Sequence, residues 1–479
     1  MSAGSTGNTG SAGSTRRTGS REELEASEQT AAELELLRAA TFWRASPKRH
    51  ARLAELAAAV TLGDAFVRRA ELHGILPLVL RNLRAAGAAL SEPVLATLTE
   101  RDRVLRGEAR RDAVTVERLS TAARESGTRA VLLKGSSLAQ DVYDTQGLRQ
   151  QGDVDVLVPE DDVRSFVEAL ASRGLVEGEE ALPVWWHRLV HFHLKLEPVL
   201  PMLKEVEVHW HLHHASRLFD VEAEDLLRRA HELEALPGVF ALDPVDRFLH
   251  LAAHLTGHWV RIPGAASLPM LTSWLASDPP RIRLKWFLDL ATAAEPLARG
   301  VAPASILARA ESWGVQRELA FVCRCLDLGF PLDEDVRRWI AALQDTALEA
   351  QPGTAGSQPE HAPATDARAA SRPLAGLDFR SEALAAWPRW FWPPTTYWQR
   401  RAPAWLRWPL RILHALGVLG VSFVGMLALP FALAARPFLR KRRAARREAS
   451  RTPDRVLDLV AQWRGGGEEE EEGPARKAP

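Results

Sequence analysis

Three acidic side chains sit inside short runs of β-forming residues, and their spacing limits how this part of the chain can fold. Asp153 and Asp155 belong to Gly152-Asp153-Val154-Asp155-Val156-Leu157-Val158, and Glu207 belongs to Glu205-Val206-Glu207-Val208-His209-Trp210. Successive side chains of a strand point to opposite faces, so Asp153 and Asp155 project together, and Glu207 shares a face with His209. Carboxylates that converge from adjacent strands repel one another unless a cation neutralises them. Hard oxygen donors with room for water and phosphate suit Mg²⁺. Upstream, Ala130-Val131-Leu132-Leu133 reads as a short buried strand, Lys134-Gly135-Ser136-Ser137 as a turn, and Leu138–Tyr143 as a short helix. Glycine lets a backbone come close to a ligand, so Gly135 and Ser136 can bring N–H groups and a hydroxyl against a phosphate. A phosphate cradle beside a carboxylate metal site supplies the parts that phosphoryl or nucleotidyl transfer needs.

The surroundings read as mostly helical. From Glu22 to about Arg129, apolar residues recur at spacings of three and four, as in Leu53, Leu56, Ala57 and Val60. Ser91-Glu92-Pro93 looks like a helix start, and Val116–Ser126 is an amphipathic helix stopped at Gly127. Glu160–Ser172 reads as a helix ended by Gly174. His191–Leu196 and Glu205–Trp210 read as paired strands, joined by a loop carrying Pro198 and Pro201. Helical periodicity resumes over Ala223–Leu233, Pro244–His258, Ile282–Ala298, Pro303–Trp313 and Gln316–Leu328. These signals predict an α+β protein, with a small mixed sheet flanked by helices on both sides in sequence.

These motifs resemble the nucleotidyltransferase fold superfamily, whose pattern is Gly-Ser, then Asp-x-Asp on a strand, then a third acid on a later strand. More closely, Leu133-Lys134-Gly135, Tyr143, Leu148-Arg149, Gly152–Val158 and Glu207-Val208-His209-Trp210 are similar to the uncharacterised nucleotidyltransferase family. Leu251-Ala252-Ala253-His254 and Trp286-Phe287-Leu288-Asp289 share in the likeness, which spans about residues 30–330. The resemblance implies that Asp153, Asp155 and Glu207 are catalytic and bind Mg²⁺. It implies that Gly135 and Ser136 hold the phosphates of a nucleoside triphosphate. Electrostatics adds Lys134 and Arg149 as neutralising groups on those phosphates. His209 is expected to support the acids rather than to bind the metal. The expected reaction is attack by an acceptor hydroxyl on the α-phosphorus, releasing pyrophosphate; the acceptor is a sugar, a lipid-linked precursor or a protein. The competing class is a non-catalytic nucleotide-binding or scaffold protein of a membrane-bound biosynthetic assembly.

Other features take plainer readings. His187, His191, His193, His211, His213 and His214 match no zinc spacing, and strand alternation accounts for several of them. Cys323 and Cys325 fall in an apolar helical pattern and read as buried inert thiols. Lys285, His254 and Asp289 are placed to reach a nucleotide or acceptor from the helical module, but structural roles are the expectation. With 61 basic and 61 acidic residues the formal charge is zero, so a nucleic-acid partner is not expected.

The expected organisation is a disordered stretch over 1–20, an N-terminal helical region over 21–129, the nucleotidyltransferase core over 130–215, a C-terminal helical region over 216–350 and a linker over 351–378. A Trp-rich, apolar and basic segment follows over 379–448, then a tail over 449–479 with a short helix and an acidic run. Six of the 16 tryptophans are Trp387, Trp390, Trp392, Trp398, Trp405 and Trp408, just before the apolar run Ile412–Ala435. That run has the length a bilayer span needs, and tryptophans with flanking Arg and Lys resemble interfacial anchors. Because the basic flank belongs on the cytoplasmic side, a re-entrant hairpin bent near Gly425–Pro430 is expected, with membrane association through 387–447. The catalytic region is therefore placed on the cytoplasmic face of a membrane.

Overall fold

In a computed structural model, residues 15–143, 147–178, 192–212, 221–260 and 268–349 are described, with single positions between 431 and 448. The N-terminal part is helical: α1 (Thr15–Ala40), α2 (Pro47–Ala59), α3 (Asp64–Leu72), α4 (Leu76–Ala85) and α5 (Glu92–Ser126). Helix α1 begins inside the stretch expected to be disordered, because the polar Thr15–Ser20 segment joins a helix whose later turns bury Leu34, Leu36 and Leu37. Helix α5 is one element of 35 residues, so the start at Glu92-Pro93 and the amphipathic stretch before Gly127 belong together. It ends where Gly127 takes a left-handed φ of 68°, a conformation glycine adopts without a Cβ penalty.

The sheet follows: β1 (Ala130–Leu132), α6 (Lys134–Asp141), β2 (Val154–Leu157), α7 (Val163–Ala171), β3 (Leu175–Glu177), β4 (His193–Pro198), β5 (Val206–His209), α8 (Ala223–Arg229), β6 (His231–Glu232) and β7 (Val239–Ala241). The strands lie in the order β3-β4-β5-β2-β1-β7-β6. β2 runs parallel to β5 and β1 parallel to β7; the other neighbours are antiparallel. The mixed sheet thus extends past residue 215, where the helical region was expected to begin. β6 and β7 have two and three residues, too few for alternation to stand out in sequence. The last helices are α9 (Pro244–Val260), α10 (Leu268–Ala276), α11 (Leu284–Gly300), α12 (Pro303–Trp313), α13 (Gln316–Gly329) and α14 (Glu334–Glu349).

Alternation along the strands divides the core in two. Val154, Val156, Val158, Val206 and Val208 pack with Leu119 of α5 and Phe166 of α7 on one face. Val131, Leu133 and Leu157 turn the other way, into a core shared with the N-terminal helices and α9 to α14. Phe166 and Trp210 are almost fully buried; truncating either to Ala costs about 3–5 kcal/mol by the usual large-to-small rule. The side chains of Asp155 and Glu207 share the second face, so they point toward the helical half of the molecule.

Cys323 and Cys325 are buried free thiols of α13, and burial pushes both well above the usual thiol range, as the sequence pattern led us to expect. The apolar run Ile412–Ala435 lies outside the described residues except at Phe431 and Ala434. No helix among the described residues is long and apolar enough to cross a membrane. The linker 351–378 and the tail beyond residue 448 also lie outside them.

Candidate active site

Register brings the acids together. In the β2–β5 ladder Asp155 stands opposite Glu207, and Leu157 opposite His209. In the β4–β5 ladder His193 stands opposite His209, and Lys195 opposite Glu207. Paired residues share a face, so Asp155, Glu207, His209 and His193 form one patch. Asp153 immediately precedes β2 and adds a third carboxylate from the chain entering the strand.

The Lys-Gly-Ser-Ser stretch is the first turn of helix α6 rather than a free turn. Leu133 N–H donates to the Asp155 carbonyl, which fixes the end of β1 against β2. Lys134 then takes a left-handed φ of 48°, the one non-glycine residue with positive φ among the described residues. Such a backbone costs a residue with a Cβ about 1–2 kcal/mol, and it is held where the side chain has a specific task. The Lys134 ammonium lies 2.6 Å from Asp155 Oδ1.

His209 completes the cluster. Its Nε2 lies 3.0 Å from Asp155 Oδ1 and 3.4 Å from Glu207 Oε2. Burial alone would raise the Asp155 carboxyl, but the Lys134 ammonium and the His209 imidazole outweigh it and hold that carboxyl well below the usual range. The His209 hydrogen bond likewise lowers Glu207, against burial and the Asp155 charge. Asp153 is pushed up, first by burial and then by Asp155 and Glu207. Burial would lower both Lys134 and His209, yet the surrounding carboxylates raise both. The patch therefore has a surplus of negative charge, and Lys134 stands in for a cation within it.

The donor set suits a metal ion. His193, Glu207 and His209 offer ligand atoms that all lie within 4.8 Å of one another. With Asp153 and Asp155 alongside, the site combines hard carboxylate oxygens with imidazole nitrogens.

The other expected residues are placed as follows. Ser136 is buried, and its hydroxyl donates to Gln151 Oε1 at 2.9 Å. Arg149 is also buried and makes a two-point pair with Asp289 of α11, at 3.0 and 2.6 Å. Tyr143 donates to the same Asp289 Oδ1 at 3.1 Å. A Cβ on Gly135 would lie 2.0 Å from Arg149 Nη1, so only glycine lets the guanidinium reach this place. Asp289 thus fixes the position of Arg149. His254 packs edge-on against Trp286. Two neighbours of the site were not singled out as site residues from sequence, His193 and Gln151. His193 was accounted for by strand alternation, and the pairing of β4 with β5 is what places it beside Glu207. Nothing in sequence marks Gln151 beyond its closeness to Asp153.

The mixed sheet thus presents Asp155 and Glu207, with Asp153 adjoining, beside the Gly-Ser start of α6. The family model described as "Uncharacterised nucleotidyltransferase" matches residues 63–331, more than half of the chain, and the protein belongs to that family. No curated protein and no solved structure matches the chain.

Proposed function

We propose that the protein transfers a nucleoside monophosphate from a nucleoside triphosphate to a hydroxyl acceptor. The observation that carries this reading is the Asp155–Glu207 register, with Asp153 adjacent and the Lys134 ammonium seated among the acids. Asp153, Asp155 and Glu207 would hold Mg²⁺, which when bound supplies charge neutralisation to the triphosphate. Lys134, released from Asp155, would then turn to the phosphates. Gly135 and Ser136 would line their path at the start of α6, and Arg149 would add positive charge from behind Gly135. Glu207 is the more exposed of the paired acids and is suited to take the proton of the acceptor hydroxyl. His209 would hold Asp155 and Glu207 in register with one another.

The test is a labelled-triphosphate transfer assay on the full chain, with wild type beside Asp153→Asn/Asp155→Asn. Loss of Mg²⁺-dependent label transfer in the double variant supports the reading; unchanged turnover sinks the metal assignment. The same reading attaches the protein to the cytoplasmic face of a membrane through residues 387–447. Segment Arg389–Arg464 holds 15 basic side chains against 3 acidic, which suits anionic lipid. Release of the protein by alkaline carbonate would count against that attachment.

A further inference from the structure

Two lysines are buried beside the segment Arg149–Gly152, and they differ in one respect. Lys204 is 4 % exposed, and its Nζ meets Asp112 Oδ1 at 3.1 Å and Glu108 Oε2 at 3.6 Å. Lys285 is 8 % exposed, and its Nζ meets the Gln150 carbonyl at 3.3 Å. Among the described residues no carboxylate lies within ion-pairing distance of it. The nearest acid of its own helix, Asp289, is already held by Arg149 and Tyr143. Burial above all, then Arg149 and Arg283, pushes the Lys285 ammonium down to about 7. A buried charge without a counter-charge is costly, and groups perturbed in this way cluster in clefts that bind ligands.

The surroundings hold this lysine in place. Gly74 has a left-handed φ of 74°, and a Cβ there would lie 2.5 Å from Lys285 Cδ, so the bare glycine makes room for the lysine stem. Gln150 N–H donates to the Gly74 carbonyl. His73 anchors the start of α11 at two points: its Nδ1 accepts from Leu284 N–H, and its carbonyl accepts from Lys285 N–H. Burial first, with Arg69 and Arg283, takes His73 down to about 4, so it stays neutral and able to accept.

Lys285 lines a cavity of about 250 Å³, together with Arg283, Gln151, Gly152 and, on the facing wall, Glu108 and Asp112. The acids of that wall already have cations, Asp112 with Lys204 and Glu108 with Arg111 and Lys204. Glu71, which also lines the cavity, pairs with Arg101. Among the described residues, the lining cations without a carboxylate partner are Lys285 in the interior and Arg283 at the exposed rim. Gly152 leads directly into Asp153, and Gln151 accepts from the Ser136 hydroxyl, so the cavity adjoins the proposed catalytic centre.

We infer that this cavity is an oxyanion subsite, in which Lys285 binds a phosphate group of a substrate and Arg283 guides it in from the rim. Its service to the transferase rests on the reaction proposed above; its existence does not. The phosphate belongs either to the nucleotide or to the acceptor, since both present the same chemistry to an ammonium group.

The test uses sulfate, a tetrahedral dianion, titrated calorimetrically into the full-length, metal-free protein. Wild type is compared with Lys285→Met and with Asp153→Asn/Asp155→Asn. We expect sulfate binding to wild type, a loss of about tenfold or more in Lys285→Met, matching one charged hydrogen bond, and binding that is retained in the double Asn variant. That last arm separates failure of the subsite from failure of the catalytic reading. Competition between Mg²⁺–ATP and sulfate assigns the phosphate to the nucleotide, and simultaneous binding assigns it to the acceptor; the subsite stands in either case. Absence of sulfate binding to wild type, or equal affinity in a Lys285→Met protein with native circular dichroism, overturns the inference.

Discussion

The Lys134 ammonium sits 2.6 Å from Asp155 Oδ1, presented by a backbone in the left-handed region. A lysine in this position competes for the carboxylate that a metal ion would use. The protein without metal is thereby spared the repulsion of three neighbouring acids.

Removal of Lys134 is expected to expose that competition. Lys134→Ala should lower the melting temperature of the metal-free protein by several degrees, because Asp155 keeps only His209 as a partner. Mg²⁺ should then raise the melting temperature more than it does in wild type, since a ligand stabilises the fold it binds. Lys134→Gly removes the same charge while easing the backbone, so it should be more stable than Lys134→Ala by about 1 kcal/mol. Thermal denaturation with and without Mg²⁺ reads all three quantities. An equal metal response in wild type and both variants would show that Lys134 and the cation do not share a place.

Gly135 and Asp289 are expected to act as one unit through Arg149. A methyl group at position 135 collides with a guanidinium that Asp289 holds at two points. Gly135→Ala and Asp289→Asn should each weaken the fold by about 3–5 kcal/mol, as for a broken buried pair. Together they should cost clearly less than the sum, because each disrupts the same Arg149 contact. Urea titration of the two single variants and the double variant measures this, and strict additivity would refute the coupling.

Much of this site was legible in sequence, and the reasons are physical. Asp153, Asp155 and Glu207 lie in runs where period-2 alternation forces the choice of face, so their convergence follows once the strands pair. The Arg149 contact was not legible, because Asp289 lies 140 positions away on another element, and sequence carries no sign of which distant acid an arginine meets. Strands β6 and β7 escaped for a different reason. β7 is held by long-range pairing to β1, and β6 by pairing to β7, rather than by a pattern of their own. Lys285 was named and set aside as structural. Only its burial without a carboxylate partner, set against the paired Lys204, gives it a different meaning.

The imidazoles beside Glu207 lead to an expectation about metal choice. Zn²⁺ prefers nitrogen donors more strongly than Mg²⁺ does, and His193, Glu207 and His209 can present two nitrogens and an oxygen to one ion. Zn²⁺ should therefore bind here and inhibit Mg²⁺-dependent transfer. His193→Gln should weaken Zn²⁺ binding by calorimetry and relieve the inhibition, while leaving transfer in Mg²⁺ close to wild type. Inhibition that persists undiminished in His193→Gln would place the Zn²⁺ elsewhere.

Lys285 should be a liability to stability even though it binds a ligand. An unfolded lysine titrates near 10.4, whereas burial takes the folded Lys285 down to about 7. Between those values the unfolded chain holds the proton and the folded chain does not, so this residue makes stability rise with pH across that window. Below pH 7 its full cost is present; above the unfolded value the cost is gone. The groups around it set the size of the effect. Arg149 and Arg283 add to the lowering, Asp289 and Asp153 oppose it, and Glu71, Glu108 and Asp112 lie along the cavity from α3 and α5. Asp112 is itself pushed up to about 6, mainly by burial against the pull of Lys204, so part of that acidic wall loses its charge as pH falls. Lys285→Met fills the same slot beside Gly74 without a charge. It should melt higher than wild type at about pH 6, with the advantage shrinking toward zero by about pH 10. Differential scanning calorimetry of both proteins across this range gives the comparison. A Lys285→Met variant that is less stable than wild type at the acidic end would mean that the lysine has a counter-charge within the folded chain.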